Sequence, residues 1–163
     1  MAVRILITGG TFDKEYDEIN GKLYFQNTHM TEILELGRSK LDVKFRTLIL
    51  IDSLEMTNED RELILNNCIK VPENQIVITH GKDTMTKTAG VIAKEKLKKT
   101  IVLTGAMIPY AFGSSDGLFN FGASLAAVQV LSNGVYVVMN GRIFQWNKVR
   151  KNRATGIFEE VCS

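Results

Sequence analysis

Val3-Arg4-Ile5-Leu6-Ile7-Thr8-Gly9-Gly10-Thr11 opens the chain with a short apolar run that stops on two glycines. A continuous apolar run of this length, without alternation, is the pattern of a strand covered on both faces. Similar runs return at Val43–Ile51, Gln75–Thr79, Thr100–Thr104 and Gly134–Met139. A late strand over Arg142–Gln145 would close a hairpin at Asn140-Gly141. Between the strands lie helical patterns. Ile33, Leu34 and Leu36 mark a modest one over Thr28–Ser39. Thr57, with Asp60 three residues on, resembles a capping box that opens a helix to about Cys68. Thr84 opens another, with Met85, Ala89, Ile92, Ala93 and Leu97 on one stripe. Asp116 can cap a long helix through Leu131. Strand and helix thus alternate, which predicts a single α/β domain: a mostly parallel, doubly wound sheet with helices on both faces. The polar stretch from Phe12 to Gln26 shows no helical period and reads as a long loop of the kind that often forms a lid.

The composition suits a folded domain: 163 residues, 45% hydrophobic and 23% charged. A net charge of +2, with acids and bases intermixed, gives no footprint for a nucleic-acid partner. The one local excess, Lys148, Arg150, Lys151 and Arg153, reads as a solvated face. Cys68 and Cys162 form no CxxC pair, and His29 and His80 lie far from both, so no metal site is expected. Free thiols fit a reducing compartment, and the chain enters a strand at once with no leader pattern. No apolar run approaches the roughly 20 residues that span a bilayer. These features predict a cytoplasmic protein with no membrane and no cofactor.

In open parallel sheets ligands bind outside the carboxyl ends of the strands. Four loops rich in hydroxyls, glycines and small residues fall there: Thr8–Thr11, Asp52–Met56, Thr79–Thr84 and Thr104–Pro109. Such loops let backbone N–H groups approach a ligand closely. Each alone has a plain explanation. The Gly9-Gly10 turn lacks the third glycine of a dinucleotide fingerprint, and no Walker lysine pattern is present. His80 reads alone as a satisfied loop histidine, and Asp83 as a helix cap.

Together the loops are more specific. Ile5-Leu6-Ile7-Thr8-Gly9-Gly10-Thr11 and Ile78-Thr79-His80-Gly81-Lys82-Asp83-Thr84-Met85 resemble the two signature motifs of the bacterial-type L-asparaginases, usually TGGTI and HGTDTM. Asp52-Ser53-Leu54-Glu55-Met56-Thr57, Thr104-Gly105-Ala106-Met107-Ile108-Pro109 and Ser115-Asp116-Gly117 continue the likeness in order and spacing. The resemblance implies an amidohydrolase that acts on L-asparagine or a related small amino-acid amide through a threonine nucleophile. Carried over by position, Thr11 is that nucleophile and Tyr24 the tyrosine that activates it. Ser53 binds a substrate α-carboxylate, and Asp83 binds the α-ammonium and supports a second catalytic group with Lys151. The Ala106 N–H, with Gly81 in the neighbouring loop, lines the substrate side of the site. A threonine hydroxyl needs a neighbour to take its proton, and N–H groups at strand ends stabilise an oxyanion.

The chain departs from the family pattern at named positions. Lys82 stands for the threonine of the second motif, Leu54 for the glutamine after the loop serine, and Ile108 where arginine is common. The resemblance covers the nucleophile-bearing N-terminal domain alone, over residues 1–163, with the family's C-terminal domain absent. An unpaired cation in a dry site is costly, so Lys82 is expected to meet an acid, hold an anion or act as the base for Thr11. Two outcomes are expected from this. One is an active amidohydrolase acting on a small-molecule substrate. The other is a catalytically weak or inactive relative that binds a small amino acid or anion, or serves as a subunit completed by a partner chain. Apolar surface that meets a neighbouring subunit in the family would remain exposed, which predicts a homo-oligomer.

Overall fold

The computed structural model describes residues 1–162. Its elements run β1 (Val3–Gly9), a 3-10 turn (Thr11–Asp13), β2 (Glu15–Asp17), β3 (Lys22–Tyr24), α1 (Met30–Leu36), β4 (Val43–Ile51), α2 (Asn58–Lys70), β5 (Gln75–Thr79) and α3 (Met85–Ala93). There follow β6 (Thr100–Thr104), a 3-10 turn (Tyr110–Phe112), α4 (Gly117–Val130), β7 (Gly134–Met139), β8 (Arg142–Gln145), β9 (Val149–Lys151) and β10 (Phe158–Glu160).

Six strands form one sheet in the order β4-β1-β5-β6-β7-β8. Every pair in it is parallel except the β7–β8 hairpin. Successive side chains of a strand face opposite ways, and the apolar runs serve both faces. Leu6, Ile76, Ile78, Ile101, Leu103, Val137 and Met139 pack against α2 and α3 through Ile64, Leu65, Cys68, Met85, Ala89 and Ile92. Val3, Ile5, Ile7, Val77, Val102 and Val138 pack against α1 and α4 through Met30, Ile33, Phe121, Ala127 and Val128. The sheet is therefore mostly parallel and doubly wound, with helices on both faces. Arg4, the cation inside the first run, is neutralised at the sheet margin by two bonds of 3.0 Å to Glu73.

The first helix is shorter than its periodicity predicts, and the N-terminal stretch read as a loop holds structure. Within Phe12–Gln26, β2 and β3 pair antiparallel as a hairpin, with Glu15 opposite Tyr24. Asp17 organises its turn by accepting from the Ile19 and Asn20 N–H groups at 3.0 and 3.2 Å. A second small hairpin, β9–β10, closes the described chain. Cys68 is buried in α2, and burial pushes its thiol up to about 12, while Cys162 is exposed. Among the described residues no helix is long and apolar enough to cross a membrane.

The capping box forms as its spacing predicts. Asp60 N–H donates to the Thr57 hydroxyl at 3.2 Å, and Thr57 N–H donates to the Asp60 carboxylate at 2.8 Å. Thr57→Ala removes the first of these bonds and should lower unfolding stability by about 1 kcal/mol. Urea denaturation followed by circular dichroism should show an earlier midpoint with an unchanged slope.

Candidate active site

The end of β1 sets the geometry. Gly10 has φ 75°, a left-handed conformation that favours glycine, and a Cβ there would stand 2.4 Å from the Gly81 Cα. A Cβ on Gly81 would in turn stand 2.5 Å from the Ser53 Cβ, and one on Gly105 would strike the His80 carbonyl oxygen at 2.4 Å. The loops after β1, β4, β5 and β6 are therefore in direct contact, backbone against backbone or against one small side chain. They bring Thr11, Ser53, Gly81, Lys82, Asp83 and Ala106 to one end of the sheet.

Thr11 begins the 3-10 turn after β1, and the Lys82 ammonium donates to its Oγ1 at 3.3 Å. Two further lysines approach. Lys14 donates to Asp52 at 2.6 Å, and Lys151 is bonded to Asp83. The Lys14 hydrogen bond, aided by the charge of Lys82, holds the Asp52 carboxyl below its ordinary value. Among the described residues no carboxylate lies within 4.0 Å of the Lys82 ammonium. Lys151 reaches Asp83 because Val149, two residues earlier on the same face of β9, is buried in the core. The rest of the basic run behaves as a surface: Arg150 pairs with Glu159 at 3.2 Å.

A buried polar layer lies beneath. Ser53 is buried, its Oγ accepts from the Thr84 N–H at 3.2 Å, and its carbonyl accepts from the Thr84 hydroxyl at 2.8 Å. The Arg61 guanidinium donates to Thr84 Oγ1 at 2.8 Å, Thr88 Oγ1 at 3.1 Å and the Met56 carbonyl at 2.9 Å. Burial lowers the Arg61 pKa. His80 Nδ1 lies 2.7 Å from the Gly81 carbonyl, so it carries the proton, and Nε2 accepts from the Thr88 hydroxyl at 2.7 Å. Burial drives His80 down to about 4, and the nearby Arg61 charge adds to this, so the ring is neutral.

The fourth loop is fixed by Asp116. This residue makes no cap bond to α4; its carboxylate accepts from the Met107 N–H at 2.9 Å and the Ile108 N–H at 3.0 Å. Two loop N–H groups, with the Asn120 and Asn140 amides, outcompete a helix cap. Burial alone would raise the Asp116 carboxyl, but these donors outweigh it and hold it below its ordinary value. Ala106, just before, is buried. Asp83 likewise serves Lys151 in place of capping α3. Tyr24 stands apart: its hydroxyl donates to Glu15 at 3.2 Å, a bond that raises its pKa, and no hydrogen bond joins it to Thr11 among the described residues.

The family model described as the N-terminal asparaginase domain matches residues 2–159. The chain belongs to the asparaginase family. It is 31% identical to L-asparaginase 1 of Escherichia coli over 166 residues, covering 95% of this chain and 48% of that protein. The solved thermostable L-asparaginase from Thermococcus kodakarensis superposes with a TM-score of 0.87 at 25% identity, over 98% of this chain and 51% of that one. A structure named probable cytoplasmic L-asparaginase from Campylobacter jejuni matches at TM-score 0.80 and 29% identity, over 91% of this chain and 49% of that one. The chain spans about half the length of the relatives it matches.

Sequence reasoning does not single out Arg61, Thr84, Thr88, Lys14 or Asn120. Arg61 had a signal, since it shares the buried stripe of α2 with Ile64, Leu65 and Cys68. A cation on an apolar helix face needs partners, and these hydroxyls and carbonyls supply them.

The neutral state of His80 makes stability depend on pH. Unfolded, the ring takes a proton near its ordinary 6.5, whereas folded it resists to about 4. Stability is therefore lost as pH falls from 6.5 towards 4, by up to about 3 kcal/mol for this residue. Thermal melts of the wild type and His80→Gln should diverge in slope across that window, the wild type losing more. Parallel slopes would assign the acid lability elsewhere.

Proposed function

We propose that the chain is an asparaginase-like amidohydrolase with Thr11 as its nucleophile, acting on the side-chain amide of L-asparagine or a related small amino-acid amide. The observation that carries this reading is the Lys82–Thr11 bond beside the Lys151–Asp83 pair, in an asparaginase-family fold. Thr11 Oγ1 attacks the amide carbon, ammonia leaves, and water then releases the acid from the Thr11 ester. The Lys82 ammonium faces the charge that gathers on the attacking and carbonyl oxygens, and the buried Ala106 N–H is the backbone donor for the same oxyanion. Ser53, whose Oγ accepts from Thr84, keeps its own proton to donate to the substrate α-carboxylate. Lys151, bonded to Asp83, holds its carboxylate in place for the α-ammonium. By the family pattern Tyr24 is the residue that takes the Thr11 proton, and in this structure its hydroxyl donates to Glu15 at 3.2 Å. A cytoplasmic location and self-association belong to this reading, supported by the free thiols and the exposed apolar side chains Phe119, Ile143 and Leu118.

A second reading, a binding module for small acids, is favoured because among the described residues no carboxylate lies within 4.0 Å of the Lys82 ammonium. Ammonia release from L-asparagine by the purified chain decides between the two. Thr11→Val should lower it by at least about a thousandfold. Asp83→Asn, which removes one charge-assisted bond to substrate, should lower kcat/KM roughly tenfold to a hundredfold. No ammonia from the native chain with any small amino-acid amide would overturn the amidohydrolase reading, and full activity in Thr11→Val would remove the nucleophile assignment.

A further inference from the structure

We propose that Lys82 makes this site prefer the carboxylate to the amide: it binds the dicarboxylic amino acid L-aspartate more tightly than L-asparagine, and Lys82 alone creates that preference. The inference rests on the proposed site reading only in placing the ligand's side-chain end at Thr11, whether or not Thr11 then attacks it.

The three lysines of the site are not held alike. Lys14 is matched by Asp52 at 2.6 Å and Lys151 by Asp83, while among the described residues Lys82 bonds only to the neutral Thr11 hydroxyl at 3.3 Å, the Asp52 charge acting on it from beyond 4.0 Å. The Lys82 ammonium is thus the one of these three with no carboxylate bonded to it among the described residues, and it lies beside the atom that bonds to the ligand's acyl carbon. In the amide that carbon bears an uncharged NH2 and oxygen. After water adds and the bond from Thr11 Oγ1 to the acyl carbon breaks, the same carbon bears a carboxylate, its proton given up to solvent. Of the two ligands only the carboxylate brings a negative charge there, and it does so within reach of an ammonium whose present bond is long and to a neutral acceptor. The two ligands are otherwise alike in size and in their α-groups, so Ser53 and Asp83 do not distinguish them. The site is then held by its own product, and Lys82 sets how firmly.

Calorimetric titration of the Thr11→Val chain, in which the amide is not turned over, tests this with L-aspartate and L-asparagine side by side. Aspartate should bind roughly tenfold to a hundredfold more tightly, the range of one charge-assisted hydrogen bond. Added Lys82→Met should abolish that ratio, and raising the salt should narrow it in the Lys82 chain but not in the Lys82→Met chain. Circular dichroism melts of each variant establish that it is folded. Equal affinities, a ratio that survives Lys82→Met, or no binding of either ligand by the folded chain would each overturn the proposal. Ammonia release by the native chain separates the two ideas. A Lys82-dependent preference without ammonia leaves this proposal standing and the amidohydrolase reading fallen. Ammonia without the preference does the reverse.

Discussion

Everything at the site depends on the contact between the Gly10 and Gly81 backbones. A methyl group on Gly10 would lie 2.4 Å from the Gly81 Cα, a distance no packing tolerates. The sheet order makes the contact available: β1 lies between β4 and β5, so the loop after β1 has the other two loops as neighbours. Parallel register brings Ile7 level with Thr79 and Gly9 level with Ile51. With all three strands ending together and only the small Ser53 side chain between the loops, Thr11, Ser53 and Lys82 are held at one level. Buried apolar runs on both faces of β1 and β5 keep that level rigid.

The polar layer below has its own logic. Among the described residues Arg61 is a buried cation bonded to no carboxylate, with Asp60 acting on it only through its charge, and it is satisfied by two carbonyls and two threonine hydroxyls. Its charge would repel a second cation, and His80, joined to it through Thr88, is neutral. The same hydroxyl that accepts from Arg61 donates to His80, so the direction of every hydrogen bond in the chain is set. Such a network ties the Met56–Thr57 turn, the start of α3 and the Gly81 carbonyl into one unit beneath Ser53.

The parts of this arrangement readable in the sequence are those encoded by local pattern. The strand runs, the capping box at Thr57 and the four strand-end loops all follow from short stretches. The hairpin of β2 and β3 does not, because its strands are three residues each and carry Glu15, Asp17 and Lys22, which read as loop. The β9–β10 hairpin is masked in the same way. Val149 and Phe158 are its only buried anchors, and the basic residues around Val149 look like solvated surface. Lys151 enters the candidate site through the family resemblance alone, since its meeting with Asp83 spans 68 residues of chain. Asp116 looked like a cap because it precedes α4, but the N–H groups it serves belong to a loop brought back by the fold.

Lys82 differs from its two neighbours in how firmly it is held. Lys14 and Lys151 each face a carboxylate, and a charge-assisted bond of that kind fixes a long side chain against its own entropy. The bond from Lys82 to a neutral hydroxyl is long at 3.3 Å and lacks the opposite charge of an ion pair, and it competes with the rotamer freedom of four methylenes. A lysine so held can change partner at small cost when a stronger acceptor arrives. The lysines that are fully matched shape the site, while the unmatched one is left to respond to the ligand. A short hydroxyl side chain at position 82, fixed to a loop pinned by Gly81, would carry no charge and could offer no such response.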